Sequence, residues 1–239
     1  MRSLFTKPKP FLDAPRREWQ FAVFAWLLRH CGGYPKFLDT TLVLPIEAHF
    51  PDRGLSGHAA VAALFRRVRD HAGMADWPCT VEPVSEKPRI ETDDSGRIPV
   101  FTYVREGLEP IALVADFARD FAQYLVATVD EPPPGGEVMR EPALELAAVF
   151  MGFGVFLANS AVNAPRQPLS EGELVHALAL FCLLQRTPPE AADEHLNPHL
   201  RKYLRLAVWD LAQHEARFRA LRGAAAEDPA ERTLPVHAR

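Results

Sequence analysis

Between Pro142 and Asn163 the chain is apolar on nearly all sides, with small residues at Ala147, Ala148, Gly152, Gly154, Ala158 and Ser160. A helix without a polar face must be surrounded, either by lipid or by the rest of the protein. The apolar run itself, Leu146 to Ala158, ends at Asn159 and falls well short of the roughly 20 residues that a bilayer span needs. The sequence therefore predicts a helix at the centre of a bundle, approached closely by its neighbours at the small positions.

Several amphipathic segments can surround it. From Arg16 to His30, Trp19, Val23, Trp26 and Leu27 recur at helical spacing, and Cys31-Gly32-Gly33 stops the run. A helix from Gly57 to His71 has the stripe Ala60, Ala63, Leu64 and Val68, with Arg66, Arg67 and Arg69 as its solvated face. Pro110 at a first helical position opens a helix to about Thr128, and Asp130-Glu131-Pro132-Pro133-Pro134-Gly135-Gly136 then forbids helix. Ser170 followed by Glu173 is a capping box for a helix that turns Leu174, Leu178, Phe181 and Cys182 inward. Asn197-Pro198 opens a last helix, whose Leu200, Leu204, Ala207, Val208, Leu211 and Phe218 form a seam up to Gly223.

Strand signals are confined to the first half. Thr40-Thr41-Leu42-Val43-Leu44-Pro45 is rich in β-formers and closed by Pro, and Cys79 to Val84 and Ile98 to Val104 are two further strands separated by a polar Asp93-Asp94-Ser95-Gly96 turn. The expected fold class is α+β, with an N-terminal strand and helix unit over residues 1–106 packed on a helical bundle over 107–223. Residues 224–239 are short of apolar side chains and read as a disordered tail.

With 239 residues, 48% hydrophobic, the chain can bury a sizeable core. Its 27 basic residues against 31 acidic ones, a net charge of −4 and no long basic run leave no footprint for nucleic acid. Cys31, Cys79 and Cys182 are far apart and form no CxxC pair, which fits reduced thiols. The first twelve residues carry Lys7, Pro8, Lys9 and Pro10 where an export signal needs an apolar core. A cytoplasmic protein that does not enter the membrane is the expectation.

The segment from Leu113 to Leu125 has an apolar frame interrupted by Arg119, Asp120 and Gln123. Leu44-Pro45 and Phe50-Pro51-Asp52-Arg53 precede it; the block Glu145 to Ser160, then Leu178 to Phe181, His195 to Pro198 and Arg201 to Leu204 follow. Over roughly residues 40 to 212 this order resembles a family of little-characterised bacterial proteins with a zincin-type H-E-x-x-H helix, most specifically at Gly152 to Asn159. In such helices two histidines one turn apart meet a zinc ion and the Glu between them activates a water.

The resemblance implies that the metal histidines fall on Arg119 and Gln123, the general base on Asp120, and an acidic third ligand on Glu145. Only Glu145 keeps a ligand type. Arg119 has no lone pair for a metal and keeps its positive charge, so no catalytic residue, metal or cofactor is expected and the four positions are vestigial. The guanidinium of Arg119 would stand where the dication stood and pair with Glu145. A cleft around it would still receive an anionic peptide group, such as a carboxylate. The competing reading is an ordinary helix with Arg119 and Asp120 in solvent.

Elsewhere, Asn197-Pro198 starts a helix between His195 and His199, which makes them cap or surface residues rather than ligands. His176 and Cys182 lie on a core helix. No G-x-S-x-G, Walker loop or dinucleotide fingerprint occurs. The expected function is a non-catalytic pseudo-metallopeptidase that binds or scaffolds another protein or peptide. The alternative is a hydrolase, using metal at Glu145 with His176 or His199, or metal-free acid and base work by Asp120 and Glu145.

Overall fold

The computed structural model describes residues 10–84, 100–104, 109–161 and 167–226. Ten helices and two strands follow one another among these: α1 Ala14–His30, α2 Gly33–Phe37, α3 Gly57–His71, β1 Thr80–Pro83, β2 Val100–Tyr103, α4 Pro110–Ala127, α5 Arg140–Ala148, α6 Gly154–Ala161, α7 Glu171–Gln185, α8 Pro189–Asp193, α9 Pro198–Leu211 and α10 Glu215–Arg222. A single turn at Glu137–Met139 leads into α5. The molecule is thus mainly a helical bundle with one small sheet.

Local sequence explains most of the boundaries. Asp13 caps α1 by accepting from Arg16 N, and Glu109 caps α4 by accepting from Ile111 N ahead of Pro110. Ser170 and Glu173 form the full capping box of α7. The Pro-rich loop is pinned rather than loose: Trp19 Nε1 donates to Pro134 O at 2.8 Å, and Glu131 meets Arg29 and His30.

The core is one cluster running from Phe21 to Leu221. Residues on both sides of the expected 106/107 boundary enter it, because α1 packs on α5 and α10 while α3 packs on α4. At its centre, α7 is buried almost all round and lies between α6 and α9.

Four expectations change. Thr40 to Pro45 is not a strand; it runs as an irregular segment in which Leu42 and Val43 are buried. Its backbone partners include Gly152 O, accepting from Val43 N at 2.9 Å, Gln185 Nε2, donating to Thr40 O, and His49 Nδ1, accepting from Leu44 N. β-formers favour extended backbone, but a strand needs a neighbouring strand to pair with, and here the neighbour is a helix break.

The strands β1 and β2 pair in parallel, Thr80 with Val100 through Pro83 with Tyr103. A tight turn gives antiparallel strands instead; the expected turn at Asp93 to Gly96 lies outside the described residues. The last helix is interrupted at Ala212 to His214, dividing α9 from α10.

The central helix is also divided. Between α5 and α6, Val149–Phe153 forms a wide turn in which Gly152 has φ 98°. A Cβ at Gly152 would stand 2.0 Å from Thr41 O, so only glycine permits both the left-handed backbone and the approach of the Thr41 to Val43 segment. Glu137–Ala161 is long and apolar enough to cross a membrane by length and composition, yet 83% of its most apolar window is buried inside the protein.

Candidate functional site

Helix α4 turns Val114, Ala115, Phe117, Ala118, Phe121, Ala122 and Val126 into the core. That periodicity leaves Asp116, Arg119, Asp120 and Gln123 along its margin, where α5 and α6 pack against it. Arg119 occupies the centre of the resulting cluster.

Each nitrogen of its guanidinium donates. Nε donates to Glu145 Oε1 at 2.7 Å, one terminal nitrogen to Asp116 Oδ1 at 2.9 Å, and the other to Ser160 Oγ at 3.3 Å. Ser160 in turn donates to Leu157 O at 3.0 Å. Glu145 and Ser160 are fifteen positions apart, which is about 22 Å along a straight helix. They meet one guanidinium because the chain turns at Gly152. The break in the central helix therefore builds the site.

Glu145 is 3% exposed, and burial pushes its carboxyl above the ordinary range even though Arg119 pulls the other way. Its second oxygen, Oε2, is buried without a hydrogen-bond partner. Asp120 is pushed up to about 6, chiefly by burial and then by the neighbouring Asp116, against a smaller opposing effect of Arg119. Gln123 is exposed at the open edge.

The expected Arg119–Glu145 pair is thus present, and Arg119 is not a solvent-facing residue of an ordinary helix. Arg119 already holds two carboxylates and a hydroxyl within the protein. Its three nitrogens are already engaged, and three carboxylates, Asp116, Asp120 and Glu145, surround one cation.

The histidines lie elsewhere. His176 is fully buried, with Nδ1 2.7 Å from Gln20 Oε1, and exposed His199 has Nε2 2.9 Å from half-buried Glu171. Because Gln20 Oε1 can only accept, Nδ1 of His176 carries the proton. His195 contributes its backbone carbonyl, which accepts from Asn159 Nδ2. Among the described residues no three His, Cys, Asp or Glu side chains are placed to hold a metal ion. Cys182 is buried in the core, and burial pushes its thiol up to about 12.

Sequence reasoning missed Asp116 and Ser160. Asp116 is three residues before Arg119, a spacing at which helical side chains meet, so the signal was there. Ser160 carried none, since only the turn at Gly152 brings it near. Comparison with family models, with curated proteins and with solved structures finds no match to this chain.

Proposed function

We propose that this chain is a non-catalytic binding or scaffold protein of the cytoplasm, built on a zincin-like arrangement whose metal position is filled by Arg119. The observation that carries this reading is the Arg119–Glu145 contact of 2.7 Å, between the first histidine position of the signature and the expected third ligand. A guanidinium supplies positive charge at that point without Lewis acidity, and Glu145 Oε2 is left as a buried acceptor facing no partner. A protein or peptide would be bound by the surface around the fold rather than by metal chemistry.

Restoration of the motif tests it. Protein purified without chelator should hold no stoichiometric zinc, whereas Arg119→His, Asp120→Glu and Gln123→His together should take up about one zinc per chain, and lose it when Glu145→Ala is added. A folded triple variant that takes up no zinc would remove the alignment on which the reading rests.

A second reading has one observation in its favour. Asp120, with its carboxyl pushed up to about 6, is suited to acid and base work near neutral pH. Glu145 would have to act with it, and it is held by Arg119. A broad peptide hydrolysis screen on the wild type and on Asp120→Asn separates the two: turnover abolished by that substitution favours the hydrolase.

A further inference from the structure

Part of the outer face of helix α9 stays exposed, with Tyr203 at one end of it against Phe11. Leu200, Leu204, Ala207 and Leu211 point into the core, where α9 packs on α7. On the outer side, Tyr203, Leu206 and Trp209 are 37%, 44% and 45% exposed. Their spacing of three places them on one stripe along the helix. Tryptophan and tyrosine combine large apolar area with a polar edge, which is why they concentrate at protein interfaces.

The stripe is edged with positive charge. Lys202 is exposed, and Arg205 has a 68% exposed side chain whose nearest carboxylate, Asp193, lies 3.5 Å away. Asp210, the one acid within α9, stands at helical spacing from Tyr203 and Leu206 but is buried, 3.8 Å from Arg17. The exposed charges that α9 itself carries beside the stripe, Lys202 and Arg205, are therefore cationic, with Arg205 paired to Asp193 of α8.

We propose that this face of α9 docks an acidic amphipathic helix of a partner protein. Such a helix lays apolar residues at intervals of three and four onto Tyr203, Leu206 and Trp209 and sets Asp or Glu beside Lys202 and Arg205. A second copy of this chain fits less well. Antiparallel pairing of two α9 stripes about Leu206 would set exposed Lys202 against Asp210, which is buried and already faces Arg17. An anionic membrane fits less well too, because a helix lying in the interface immerses a broad apolar face, and that face of α9 is committed to the core. The surface is separate from the Arg119 cluster: α4 packs on α3, α5 and α6, and α9 on α7 and α8.

The test uses a displayed library of helical peptides with a fixed apolar frame at positions i, i+3 and i+7 and flanks randomised between acidic and basic residues. Selection on the full chain should enrich acidic flanks. Trp209→Ala and Leu206→Ala should each weaken the selected peptides by at least about tenfold while leaving Tm unchanged, and Lys202→Glu with Arg205→Glu should turn the preference toward basic flanks. Enrichment of basic flanks, no enrichment, or acidic peptides whose binding ignores Trp209→Ala would overturn the proposal. So would a dimer seen by sedimentation, or binding to phosphatidylserine and phosphatidylcholine vesicles, that Trp209→Ala abolishes.

Discussion

At the scale of single residues, the two halves of the central ion pair are not equivalent. The Glu145 side chain is 4% exposed and that of Arg119 21%. Removing Arg119 strands a carboxylate in the core, whereas removing Glu145 leaves a cation that still has Asp116, Ser160 and some water. Arg119→Ala should therefore destabilise the protein by about 3–5 kcal/mol and Glu145→Ala by about 2 kcal/mol, measured by urea unfolding. Replacing both by apolar residues of similar size, Arg119→Met with Glu145→Leu, should cost less than Arg119→Ala alone, since neither charge is then left buried. Equal single costs below about 1 kcal/mol would mean that the pair behaves as an exposed one. The pair was legible through the family resemblance, which put Arg119 and Glu145 at two metal positions where one charge would need the other. The third partner, Ser160, was not legible, because its position depends on backbone geometry far from α4.

At the scale of elements, the decisive feature is the turn between α5 and α6. The small residues of the central helix signalled close approach, and the approach is made: Thr41 to Val43 lies against Gly152, and Gly154 meets Leu178. What composition did not reveal is that one of those glycines ends the helix rather than continuing it. Gly152→Ala should cost about 3 kcal/mol or more, combining left-handed strain with displacement of the Thr41 carbonyl. Gly73→Ala is the control: φ is 74° there as well, but nothing stands within 4 Å, so about 1 kcal/mol is expected. Thermal unfolding of the two variants checks the difference, and equal losses would show that the close approach contributes nothing. The same contact explains the missing strand at Thr40 to Pro45, since local β propensity cannot specify that the hydrogen-bond partner is a helical turn more than a hundred residues later.

At the scale of the whole molecule, α1 and α7 are joined through a buried polar chain. His176 donates from Nδ1 to Gln20 Oε1, and Gln20 Nε2 donates to Glu173 O at 2.9 Å. Burial, helped by the nearby charges of Arg17 and His214, pushes His176 down to about 3, from the usual 6.5. A histidine lowered in this way binds its proton more readily in the unfolded chain. Its contribution to stability is therefore complete above about pH 6.5 and is lost as pH falls toward 3, by a few kcal/mol. Asp120, pushed up to about 6, acts with the opposite sign: it weakens the fold as pH rises from about 4 to 6. Urea midpoints at pH 7 and pH 4.5 should therefore be compared between wild type and His176→Leu, where the loss on acidification should be smaller in the variant although its stability at pH 7 is lower. An identical loss in both would remove His176 as the titrating group.

The sequence by itself determined the ends of α3 and α4, the starts of α7 and α9, and many of the side chains that enter the core. It could do so because caps and periodicity act over a few residues, whereas the Arg119–Glu145 pair was expected only from the family resemblance. Only the tertiary structure decided that the central helix turns at Gly152, that two strands run parallel and that Ser160 joins Arg119, because each of these depends on distant segments being packed at the same point in space.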